Sequence, residues 1–363
     1  MAKPLQYILP AALLLFAFAG TASAELDDWF RLRMIKFQLT TSYDDNILRY
    51  SERDIDRFVN NSEYNPSLMT TYDDWKNDFR LKFYFYGPRM FGNRLRLYYF
   101  GKFSSYFRNP FNNYNNHTFM AYQGIGERVE VHFLYFYMPE YYLREYRDRD
   151  TGEFHSAEFE NHQARPGVSV KITDRLEATF QAEYEQLYYN GWFTEYDAES
   201  WFYEGEVDLD LGRNWDISLG YGFKVSDNAG YHSSQLRFAD PEVEVDSEFG
   251  DSSYEADIYQ ATVRYRFRKL WGENTDISLN YKLRRRYYTT DNSLEIDPFH
   301  AGRMDNRHRI IFTVSRDITP DLLAEIEYTH EWRNTDSGVI LVEDIKDFRQ
   351  NVIALSLTFD IVD

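Results

Sequence analysis

The chain of 363 residues has no cysteine, which excludes a disulfide framework and thiolate metal sites. After its first two dozen residues it has no apolar run near 18 residues, which excludes a transmembrane helix there. Positive charge is the scarcer sign, with 40 Lys and Arg against 59 Asp and Glu. A net charge of −19 argues against a nucleic-acid partner. Aromatics are abundant instead, with 31 Tyr and 29 Phe. An acidic chain is often disordered, but disordered chains are poor in aromatics, so this one is expected to fold.

The first 24 residues read as a separate object. Lys3 gives a short basic start, Ile8 to Ala19 form an apolar run too short to span a bilayer as a helix, and Ala22-Ser23-Ala24 supply an A-x-A cleavage site. Met1–Ala24 is therefore expected to be a secretory signal peptide, with the mature domain over residues 25–363. Removing Lys3 takes the net charge from −19 to −20. Two candidates remain, a soluble periplasmic protein and an outer-membrane barrel.

Period-two alternation decides between them. From Arg31 onward, Ile35, Phe37, Leu39 and Thr41 share one face, with Lys36, Gln38 and Thr40 on the other. The pattern recurs, with Phe79, Leu81 and Phe83 opposite Arg80 and Lys82, and Tyr203, Val207 and Leu209 opposite Glu204, Glu206, Asp208 and Asp210. About fourteen such segments are present, one weak around 115–123 and one interrupted near Pro166-Gly167. Most reach the 9–11 residues a transmembrane strand needs. Odd-numbered links tend to be long, as over 45–71, 226–252 and 291–305, whereas even-numbered links are short, such as "GIGE", "TDR" and "GRN". Long loops at one end and tight turns at the other, with Tyr, Trp and Phe edging the apolar faces, predict an all-β fold. It is a transmembrane antiparallel up-and-down β-barrel of about 14 strands.

On these residues the chain resembles the bacterial outer-membrane β-barrel superfamily, over Glu25 to Asp363. The last strand, "VIALSLTFDIVD", is similar to the assembly signal of such proteins, although it ends in Asp363 instead of an aromatic residue. "TSYDDNI" (41–47) resembles a stretch found in several porin-like families. The resemblance implies residence in the outer membrane among lipid and lipopolysaccharide.

If the apolar face meets lipid, the opposite face lines the lumen, and its charges are sorted by sign. Arg31, Arg33, Lys36, Arg80, Lys82, Arg94 and Arg96 form one basic group. A second comprises Arg264, Arg266, Arg268, Lys282, Arg284, Arg286 and Arg309. The acidic lining comprises Glu177, Glu183, Glu185, Glu204, Glu206, Asp208 and Asp210, then Glu325, Glu327 and Glu331. The pattern suits a conduit with a transverse field, passing small polar or charged solutes. It also suits salt-bridge ladders that fill and stabilise the lumen. In "LRRRYY", the register splits three consecutive arginines: Arg284 and Arg286 point inward, and Arg285 faces lipid near the outer interface.

Other signals are weaker. The acidic loop with Asp240, Glu242, Glu244, Asp246, Glu248 and Asp251 lacks EF-hand spacing and reads as a solvated loop. His232 and Ser234 form an H-x-S pair similar to that of outer-membrane phospholipase and lipid A deacylase. Gln235 stands where those enzymes carry Asn, and no third residue can be assigned. Asp44-Asp45 and Asp73-Asp74 could supply omptin-like acidic pairs, but Asp-Asp pairs are common in loops. No histidine spacing matches a zinc site, and no cofactor is expected. The leading expectation is a passive channel, not an enzyme. The alternatives are an accessory or polymer-export barrel serving a partner complex, and then a lipid-acting barrel enzyme.

Overall fold

The computed structural model describes residues 30–60, 69–148, 153–212, 214–231, 250–270 and 273–362. The signal-peptide reading, His232, Ser234 and the acidic loop from Asp240 to Glu248 lie outside the described residues. Fourteen antiparallel strands follow one another around a closed barrel, and the last pairs with the first. They are β1 (Arg31–Asp44), β2 (Asp74–Met90), β3 (Asn93–Tyr106), β4 (Tyr114–Ile125), β5 (Val129–Arg147), β6 (Phe154–Thr173) and β7 (Leu176–Tyr189). The other half comprises β8 (Ala198–Asp210), β9 (Trp215–Asp227), β10 (Tyr254–Leu270), β11 (Glu273–Tyr288), β12 (Met304–Thr319), β13 (Leu322–Asp336) and β14 (Phe348–Val362). Closure leaves no edge strand, so every strand finds backbone partners on both sides. At the seam, Lys36 pairs with Asp360 at 3.0 Å and Thr40 with Ser356 at 2.7 Å.

Alternation sends apolar side chains outward. Phe180, Leu219, Ile326 and Ile353 are each more than half exposed, and Phe79, Leu81, Tyr259, Leu279 and Phe312 extend the band. A continuous apolar belt on a net-acidic chain is a surface for lipid, since water would make it an aggregation site.

The two ends of the barrel differ as the link lengths predict. Two helices, α1 (Glu52–Asn60) and α2 (Ile340–Lys346), and single helical turns at Pro110–Asn112 and Thr194–Tyr196 all lie in links at one end. The opposite end has tight turns. Phe91 and Gly92 both take left-handed backbone conformations (φ 52° and 85°), the geometry of a two-residue hairpin whose twist matches its strands.

Three local expectations change. The weak segment is a full strand, β4, whose luminal face mixes Asn116 and Thr118 with Met120 and Tyr122, so alternation is faint. Pro166-Gly167 does not interrupt β6, which runs through all 20 residues. Gly167 is needed there because a Cβ would lie 2.2 Å from Nε2 of His132. Finally, a bulge between Leu32 and Met34 makes Arg33 an extra residue with no cross-strand partner on β2. That removes Arg33 from the lining row and leaves Arg31 in register with Tyr86.

Candidate functional site in the barrel lumen

Strand register brings the charged residues to one inner surface. One row of partnered positions runs Gln181, Glu204, Gly222, Ile258, Arg284, Arg307 and Arg333 across β7 to β13. The concave side is identified by contacts that reach past an intervening strand. Lys224 on β9 pairs with Glu185 on β7, across β8.

A cavity of about 310 Å³ lies in the lumen between β6 and β13. Lys282, Arg284 and Arg309 border it together with Glu183, Glu185 and Glu331, six lining residues expected from the sequence. Arg165, Lys224 and Arg307 join them. Each acid already holds a cation. Arg165 Nε donates to Glu183 at 2.7 Å, Lys224 donates to Glu185, and Arg307 Nε donates to Glu331 at 2.8 Å. Glu331 is a hub, only 2% exposed, which also faces Arg49 at 3.1 Å and Arg309 at 3.7 Å. Lys282 and Arg284 have no carboxylate partner among the described residues.

A second cavity of about 520 Å³ opens at the tight-turn end, bordered by Glu177, Asp208, Asp210, Asp216, Lys171 and Arg264. Here the acidic strip of β8 comes down to the mouth. Gln181 donates to Glu204 and Ser218 to Asp208, and Glu206 has no ion pair among the described residues. Gly220 faces this strip and keeps space beside it, since a Cβ there would stand 3.6 Å from Glu206. On β13, Glu325 and Glu327 partner Ser315 and Thr313 of β12 in the same inward register as Glu331.

On β2 and β3, Arg80 donates to Gln38 at 3.1 Å, Lys82 has no ion pair among the described residues, and Arg96 pairs with Glu130. Arg94 instead sits beside the β2–β3 turn opposite Arg89, at the exposed rim. Arg266 is likewise near the turn end, held by Asp276 at 3.0 Å. Arg286 does not border the cavity. It stacks on Tyr254 at 3.9 Å and donates to the Tyr288 hydroxyl at 3.0 Å, beside the Arg303–Asp305 pair at 2.8 Å. That position makes it a structural cation.

Arg285 is exposed on the outward face, three residues from the loop end of β11, and donates to Asn306 at 2.9 Å. A polar and aromatic belt surrounds it, in which Tyr281 and His308 share a hydrogen bond of 2.8 Å and His308 stacks on Trp332.

Two features escaped the sequence pattern. Alternation places Tyr84 and Tyr98 on the charged inner face of β2 and β3, but it does not show that they pack into an aromatic cluster with Tyr122 of β4. Tyr84 packs edge-on against Tyr98 at 5.0 Å, and Tyr98 against Tyr122 at 5.4 Å, with Arg96 over the Tyr122 ring. Period two assigns a side chain to a face but does not set its distance to the next strand, so the cluster itself leaves no sequence signal. The second feature is a cap. The β11–β12 link folds over the loop end with Asp297, Phe299, His300 and Ala301 buried. Asp297 meets His300 at 2.8 Å and accepts the backbone N–H of Asp251 at 2.9 Å. In α2, burial pulls the Lys346 amine down to about 7, and the nearby Arg144 charge adds to the effect. Among the described residues no group of His, Asp and Glu has the arrangement of a metal site.

No family model and no curated protein matches the chain. Similar solved structures include the outer membrane channel DcaP of Acinetobacter baumannii, with TM-score 0.49 and 10% identity over 94% of this chain and 100% of that one. Another is the anion-selective porin from Comamonas acidovorans, with TM-score 0.42 and 7% identity over 92% and 100% of the two chains. OccD1 (OprD) gives a TM-score of 0.40 and 10% identity over 90% and 95%.

Proposed function

We propose that this barrel resides in the bacterial outer membrane and acts as a passive channel for small polar or charged solutes. The observation that carries the reading is a polar lumen in which charges of both signs remain without ion-pair partners among the described residues. Lys82 on β2 and Glu206 on β8 stand on roughly opposing walls of the fourteen-strand ring. A low-dielectric wall focuses the field between such groups, concentrating and orienting charged solutes. Ion pairs elsewhere, such as Arg165–Glu183 and Lys36–Asp360, brace the wall. The apolar belt supports insertion in lipid, and Arg285 at the loop end supports contact with lipopolysaccharide or lipid head groups.

Single-channel recording in planar bilayers tests the reading. Stable ohmic steps are expected, and Glu206→Arg should move the reversal potential in a salt gradient toward anion selectivity. A barrel that inserts without conducting would refute it and leave an accessory role to a partner complex.

A further inference from the structure

We propose that the mid-lumen cavity is a binding station for small organic carboxylates. This rests on the lumen being a solute path and adds the class of solute it holds. Six cationic and three acidic side chains border the cavity, a surplus of three positive charges. The acids are committed to Arg165, Lys224 and Arg307. Lys282 and Arg284 are left with neither an ion pair nor a side-chain hydrogen bond among the described residues.

Two enclosed cations without an ion-pair partner are costly, because more distant charges offset their desolvation only in part. A bound anion offsets it. Their placement also favours one kind of anion. Lys282 and Arg284 are two positions apart on one strand and share its inner face, so their backbones stand about 7 Å apart. A guanidinium fork matches a carboxylate through two parallel hydrogen bonds. Beside this charge, on neighbouring strands of the same wall, the cavity is lined by Phe202 and by Ile258, the cross-strand partner of Arg284, both under 10% exposed. The Phe202 ring is seated over Gly222, where a Cβ would come within 2.3 Å of it. A basic end beside an apolar wall suits a carboxylate on a hydrocarbon body better than a halide, which would leave most of the 310 Å³ unfilled.

The test uses purified full-length protein in detergent micelles, with benzoate as the probe and benzamide as its neutral counterpart. Calorimetric titration should show saturable benzoate binding that benzamide does not reproduce. R284Q and K282Q should each weaken it at least tenfold, and R285Q, on the outward face of the same strand, should leave it unchanged. Heat-modifiable migration on gels confirms that each variant is folded. Equal binding of benzamide, no saturable binding of benzoate, or benzoate affinity unmoved in both R284Q and K282Q would overturn the proposal. Because binding is read without current, a non-conducting barrel would refute the channel reading alone. A conducting barrel that ignores benzoate would refute the carboxylate station alone.

Discussion

Glu331 is the point at which a single atom-for-atom change has the largest expected effect. Replacing it with Gln preserves shape but removes the one carboxylate shared by Arg307, Arg49 and Arg309. Breaking a buried ion pair by neutralising one partner costs about 3–5 kcal/mol. Only Arg307, 24% exposed, is enclosed enough to count in full, because Arg49 and Arg309 are nearly half exposed and water screens them. The expected loss is therefore near the lower end, about 3 kcal/mol. Urea unfolding in lipid vesicles, followed by tryptophan fluorescence, reads it directly. In the double variant Glu331→Gln with Arg307→Met, the stranded guanidinium is gone, so the loss should fall short of the two single losses combined by about 1 kcal/mol or more. A loss below about 1 kcal/mol for Glu331→Gln would show that the hub is hydrated, and would refute the reasoning.

Arg285→Leu should fold and insert as the parent does, with stability changed by less than about 1 kcal/mol because the site is near an interface; a large loss in folding yield would place Arg285 elsewhere. Gly222→Ala should push the Phe202 ring into the cavity, costing about 1–3 kcal/mol and lowering conductance, and Phe202→Leu in the same chain should restore both. Lys346 has its amine pulled down to about 7, below its unfolded value, so the folded cap disfavours the protonated form. The sign follows: between pH 7 and about 10.4 the unfolded chain binds the extra proton, and stability of the cap rises with pH through that window. Hydrogen-exchange protection factors in α2, corrected for the intrinsic rate at each pH, should rise accordingly, and Lys346→Met should flatten the dependence.

The barrel was legible because a strand with lipid on one side and a polar lumen on the other must alternate along its whole length. Phe79, Leu81 and Phe83 against Arg80 and Lys82 admit one such arrangement. Link lengths were legible for a related reason, since a tight hairpin needs few residues and a capping loop needs many. β4 was faint because its inner face mixes polar and apolar groups. The Arg33 bulge left no trace, because one extra residue in a strand alters pairing without altering composition.

Chain chemistry alone therefore determined the all-β class, the number of strands, the end that carries the loops and the inward direction of Lys282 and Arg284. Those are properties of local alternation, repeated along the chain. Which charges are spent on one another was decided only by closure. Lys224 meets Glu185 across an intervening strand, and Glu331 gathers Arg49 from a loop far away in sequence. Register, curvature and loop folding set those distances, and no local pattern encodes them. The same closure left Lys282 and Arg284 without partners and turned Arg286 into a prop between tyrosines.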